Sequence, residues 1–179
     1  EVADAAALLD QALTKLPGEP ALVHARMVVA DVTGDTQKTA ELAVSALEAG
    51  AKGKVAAGLW LRVAEAAASQ GDASRALEAV KKALSEDAGS IPARVLELDL
   101  LDPGHDPTGL ASALEAAAES MGSDAAKARY FLLAADTWAR VGKDVGGAKA
   151  ALSQAGMYGA APLTIARVVG ELTDGKFVL

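Results

Sequence analysis

The stretch that most restricts how this chain folds is residues 57–90, AGLWLRVAEAAASQGDASRALEAVKKALSEDAGS. A large residue, Trp60, precedes the apolar Val63 and the small Ala64. Gly71 and Asp72 interrupt the apolar pattern, and Ala76, Val80 and Ala83 resume it. Apolar residues at three- and four-residue spacing on both sides of a Gly-Asp pair describe two amphipathic helices joined by a tight turn. Helices approach closely only where small side chains occupy the crossing points, and Ala64, Ala76 and Ala83 are spaced to do so. A hairpin of this kind cannot bury both faces alone, so repetition along the chain implies a stacked array.

Composition supports an all-α reading. Hydrophobic residues make up 51% of the chain, much of it Ala, and aromatics only 3%. Ala has the best helix propensity but buries little area, which suits close helix-on-helix contact and not a bulky central core. Runs rich in Val, Ile, Thr and aromatics are nearly absent, which argues against strands. The net charge of -7 opposes binding to phosphate backbones and to anionic membrane surfaces. Without Cys there are no disulfides, thiolate metal sites or cysteine nucleophiles. No apolar run is long enough for a membrane-spanning helix. The chain opens mid-element, with Glu1 and no Met, so it is expected to be a piece of a longer protein. The compartment therefore stays open, with a lean toward the cytoplasm. The Ala bias fits a bacterium of high genomic GC content.

Six prolines punctuate the chain, at 17, 20, 92, 103, 107 and 162, each placed between helices or in a first turn. Gly-Asp at 34–35 and 71–72, and Gly142 with Lys143-Asp144, mark tight turns. Asp106 before Pro107 reads as an N-cap with Pro at the first helical position. Helices are expected over 2–16, 20–33, 36–50, 54–70, 73–87, 90–102, 107–120, 124–141, 145–156 and 161–172.

Residues 57–90 resemble a tetratricopeptide repeat, a helical hairpin of about 34 residues. Trp60 takes the family's large position, Ala64, Ala76 and Ala83 its small positions, and Gly71-Asp72 its turn. Ala88 stands where the family often has Pro. Residues 20–53 are similar, with Val23, Gly34-Asp35, Thr39 and Ala46 in phase and Met27 where a smaller residue is usual. Residues 1–19 resemble the second half of a repeat through Ala5, Leu9, Ala12 and Pro17. Residues 128–161 fit with one inserted turn residue, through Phe131, Ala135, Gly142, Ala148 and Ala155. Residues 91–122 form a degenerate unit, and 163–179 a partial one with Val169-Gly170 in phase. The resemblance implies one array over 1–179, a right-handed α-solenoid of about five hairpins.

Residues able to do chemistry are few. His24 lies in a helix between Val23 and Ala25, and a solvated or packed imidazole is its simplest reading. His105 sits among Asp102 and Asp106, where helix-end and N-cap roles account for both carboxylates better than a metal does. Gly146-Gly147 reads as close helix packing, not as a phosphate-binding loop. No nucleophilic triad can be assembled. Phe131, Trp138 and Trp60 are expected in the core, with Tyr130 partly exposed. The expectation is a non-enzyme with no metal and no cofactor.

In the resembling family the first helix of each hairpin lines a concave groove that holds peptides or helices. Carried onto this chain, the groove positions are His24, Val28 and Asp31, then Leu61, Glu65 and Ala68, then Arg129, Leu132, Asp136 and Arg140, with Arg167 and Glu171 closing the array. The Lys and Asn positions of the family's carboxylate clamp hold His24 and Val28, or Leu61 and Glu65, so a chaperone-tail role is not expected. Arg129 and Arg140 are the anchors expected for an acidic partner group. The function implied is a protein-interaction scaffold. Its alternatives are a ligand-sensing or regulatory module of a larger enzyme or transcription factor, and a self-assembling subunit joined through terminal helices.

Overall fold

The computed structural model describes residues 2–161 and Ile165. Arg167, Val169-Gly170 and Glu171 lie outside the described residues. Among the described residues every regular element is helical: α1 (Val2–Lys15), α2 (Pro20–Thr33), α3 (Thr36–Glu48), α4 (Gly53–Ser69), α5 (Ala73–Glu86), α6 (Ile91–Leu100), α7 (Pro107–Ser120), α8 (Asp124–Arg140) and α9 (Val145–Met157). The chain forms two units, Glu1–Ala93 and Arg94–Leu179. These helices start and stop within two residues of the sequence expectation.

In the first unit α1 packs on α2, α2 on α3, α3 on α4 and α4 on α5. The Gly-Asp turns work as their residue types require. Gly34 (φ 70°) and Gly71 (φ 77°) take the left-handed conformation that ends a helix. Asp35 and Asp72 then cap the next helix, accepting from the Lys38 and Arg75 N–H groups at 3.0 Å each. Ala64, Ala76 and Ala83 are each 0% exposed, as crossing-point residues must be. Lys54, Val55 and Ala56, which separate the 20–53 and 57–90 repeats in sequence, join α4 as an added turn, and Ala56 and Ala57 are buried there. A bidentate pair ties α1 to α2: Arg26 Nε donates to Asp10 Oδ1 at 2.9 Å and Nη2 to Oδ2 at 3.3 Å. Arg26 is buried, and its hydrogen bonds hold the Asp10 carboxyl below its ordinary range.

In the second unit α7 packs on α8 and α8 on α9. Leu114, Ala134, Ala135, Ala151 and Leu152 form one buried cluster, and Leu98 of α6 packs against it. Ala118, Phe131 and Ala155 form another. The small positions read from sequence, Ala135, Ala148 and Ala155, are fully buried. Asp106 caps α7 through the Gly109 N–H at 2.7 Å, ahead of Pro107. The turn before α9 is built differently from the Gly-Asp turns. The left-handed residue is the inserted Lys143 (φ 53°), not Gly142. Gly142 is needed for contact instead: a Cβ there would lie 3.1 Å from the Trp138 carbonyl oxygen and 3.3 Å from its ring. Gly147 has the same role more sharply, with a Cβ position 2.8 Å from the Trp138 ring.

Candidate functional site

The first unit carries a trough of about 300 Å³ between α2 and α4. Its α2 wall is His24, Met27, Val28 and Asp31, a stripe at helical spacing. Its α4 wall is Lys54, Val55, Gly58, Leu59 and Arg62. Three residues expected from sequence, His24, Val28 and Asp31, therefore share this trough. Leu61, also expected there, is half-buried and does not line the trough. Glu65 reaches the trough through Arg62.

Arg62 is the central polar residue of this face, and the family template does not point to it. Its guanidinium meets Asp31 Oδ2 at 3.0 Å and Glu65 Oε2 at 3.5 Å. Asp31 Oδ1 also accepts from the Thr39 hydroxyl of α3 at 3.1 Å. Asp31 thus ties three helices together. These pairs are largely open to water, so each contributes at most about 1 kcal/mol; their larger effect is to fix side-chain direction. Around them the surface is apolar and open, with Val28 48% and Val55 67% exposed. Opposite charges on adjacent helices, Asp31 and Arg62, are the sequence signal for this bridge.

In the second unit Arg129 and Arg140 are exposed on α8. Arg140 Nε meets Asp136 Oδ1 at 2.5 Å, a pair one helical turn apart. Leu132 is half-buried and packs against both core clusters. The exposed apolar neighbour of Arg129, Asp136 and Arg140 is Leu133, because a four-residue step stays on one helix face more nearly than a three-residue step. The aromatics are used for packing. Trp138 donates from Nε1 to Glu115 Oε1 at 2.9 Å and packs on the Leu114 cluster. Phe131 is buried and stacks on Tyr158 at 5.7 Å, and the Lys127 ammonium lies 4.8 Å from the Tyr158 ring. Trp60 is half-buried beneath the Lys82 ammonium, 4.6 Å from its ring. Tyr130 is half-buried.

The Asp102–Asp106 loop organises itself. Asp102 accepts from the Gly104 N–H at 2.7 Å and meets His105 Nδ1 at 2.6 Å. The Gly104 N–H first, and His105 second, hold the Asp102 carboxyl below its ordinary range. Among the described residues no three His, Asp or Glu side chains are grouped to hold a metal ion. No described helix is long and apolar enough to cross a membrane.

No family model matches the sequence, and no curated protein matches it. Among solved structures, the crystal structure of YrrB, "a TPR protein with an unusual peptide-binding site", is similar in fold. The match covers 93% of this chain and 82% of that one, with a TM-score of 0.59 and 17% identity. The chain has a tetratricopeptide-like helical-repeat fold, an all-α solenoid class built from helical hairpins.

Proposed function

We propose that this chain is a protein-interaction scaffold, one array over 1–179, that holds a peptide or helix of a partner along the first helices of its hairpins. The observation that carries the reading is the α2–α4 face. Two exposed valines share the trough with the Asp31–Arg62 bridge, whose members are also held by Thr39 and Glu65. A surface of this kind offers apolar contact for affinity and fixed polar groups for selection. The fold supports it, since such arrays typically act without catalysis, and YrrB is described as having a peptide-binding site. Arg129, Asp136 and Arg140 of α8, with Arg167 beyond the described residues, extend the selecting charges in this proposal.

The test is site-specific photo-crosslinking in cells. A photoreactive residue at Val28 or Val55 should capture one discrete partner, and the same residue at Lys81 on α5 should not. Capture at Lys81 with none at Val28 or Val55 would sink the assignment. A second reading, self-assembly through a terminal helix, draws support from α1. That helix buries no residue fully, and Leu8 and Leu16 are exposed. Light scattering decides it: a monomer at all concentrations removes self-assembly.

A further inference from the structure

Sequence spacing places Ala46 where Ala83 stands in the next hairpin, at a helix crossing. Ala83 is fully buried, but Ala46 is only half-buried and lines a cavity of about 380 Å³. Met27 occupies the position that Ala64 holds in the next hairpin, and α2 packs on α3 less extensively than α4 on α5. Met27, Ala46, Ala49, Val55 and Leu59 wall the space, and His24 supplies its one polar side chain. An apolar cavity of about 150 Å³ already accepts a benzene-sized group. This one falls within the size range of ligand pockets, roughly 300–1,000 Å³, and has their character of apolar walls with few polar groups.

The cavity continues into the α2–α4 trough, because His24, Met27, Val55 and Leu59 line both. The charges at that junction indicate what enters. Asp31 and Arg62 satisfy each other, and Glu65 adds to Arg62. Glu86 accepts the Gly53 N–H at 2.7 Å, so the α4 terminus is already neutralised. Lys54 makes no ion pair among the described residues. Of the charged side chains on the trough wall, Asp31, Lys54 and Arg62, the uncommitted one is thus a cation. We propose that the cavity is an anchor pocket for an apolar side chain of a partner peptide, with a neighbouring carboxylate of that peptide against Lys54. This rests on the scaffold reading above and names the class of partner.

The test is selection of a phage-displayed library of random dodecamers on the whole protein, followed by titration of the enriched peptides into methyl-labelled protein. Enriched peptides should carry Leu, Ile, Met or Phe within a few residues of Asp or Glu. They should shift the methyls of Met27, Val55 and Leu59. Ala49→Trp plugs the pocket from an exposed position and should weaken binding roughly tenfold to a hundredfold, the effect of losing one buried apolar side chain. Lys54→Glu is an independent variant: it should weaken acidic peptides roughly threefold or more and favour their lysine-substituted counterparts. Peptides that bind but shift only α8 methyls, leaving Val55 and Leu59 unmoved, overturn the pocket and leave the scaffold standing. Octanoate that moves the same methyls at lower concentration than any peptide assigns the cavity to small ligands and overturns the proposal. Concentration-dependent broadening of those methyls without peptide assigns it to a second copy, with the same consequence. A library that yields no enriched peptide sinks both readings.

Discussion

Gly147→Ala should destabilise the second unit, although helix propensity alone predicts the opposite. In a helix interior Ala is favoured over Gly by about 1 kcal/mol, an upper bound at Gly147, the third residue of α9. The added Cβ, however, would lie 2.8 Å from Trp138 Cδ2, 3.0 Å from Cγ and 3.1 Å from Cε2. Carbon pairs prefer about 3.5–4.0 Å, so the overlap is roughly 0.7 Å at the worst atom. The indole cannot simply withdraw. Its Nε1–H is bonded to Glu115 at 2.9 Å and its ring packs on the Leu114 cluster. Overpacking of this kind costs about 1–3 kcal/mol, and turning the ring adds the loss of one hydrogen bond, about 1 kcal/mol. The net expectation is a loss of about 1–3 kcal/mol. The assay is urea unfolding followed by Trp138 fluorescence in a Trp60→Phe background. Gly146→Ala is the control, since its Cβ meets only the Asp144 carboxylate tip, at 3.3 Å, and should be near neutral. In a Trp138→Leu background, with unfolding followed by far-ultraviolet circular dichroism, Gly147→Ala should become stabilising. If it stabilises with Trp138 present, the close contact does not set the packing of α8 on α9.

Lys143→Gly should raise stability by about 0.5–1 kcal/mol in the same assay, because the left-handed conformation at φ 53° costs a side-chain-bearing residue more than the lost chain stiffness returns. Asp10 has a folded pKa below its unfolded one, owing first to the Arg26 hydrogen bonds, so its contribution is present above about pH 4 and fades as pH falls through the folded value. Asp10→Asn should flatten that acid limb in a melting-temperature profile, whereas an unchanged profile would separate the pair from acid stability. Asp72→Ala should cost about 1 kcal/mol by removing the α5 N-cap, and amide exchange at Arg75 should quicken while the Lys38 amide is unaffected.

Backbone architecture was legible from local chemistry. Gly34 and Gly71 ended helices, Asp35, Asp72 and Asp106 began them, and the crossing alanines of residues 57–90 and 128–161 became fully buried, whereas Ala46 did not. These are short-range rules that one sequence carries. Gly142 shows where they fail. A glycine in a turn suggests a left-handed residue, but here proximity to Trp138 requires the missing side chain, and Lys143 takes the strained angle. Of the candidate trough, one wall was named beforehand. His24, Val28 and Asp31 are positions that the family resemblance implied, whereas Arg62, Lys54 and Leu59 depend on how α4 is rotated against α2. That rotation is set by side-chain packing between units of the repeat, which a fixed template does not encode. The Ala46 cavity was hidden for a related reason. The departure at Met27 was visible, but the cavity that Met27 shares with Ala46 lies between helices and is not carried by either spacing alone.

Whether the α2–α4 face holds the partner is decided by one calorimetric titration. The partner segment recovered through Val28 is titrated into the native protein and into the Val28→Asp/Val55→Asp variant. Both side chains are already exposed, so the melting temperature should not move. Affinity should fall by roughly thirtyfold or more, since an apolar contact is lost on each lip and a carboxylate is left against it. Equal affinity for the two proteins, with the fold intact in both, would contradict the assignment of this face as the binding surface.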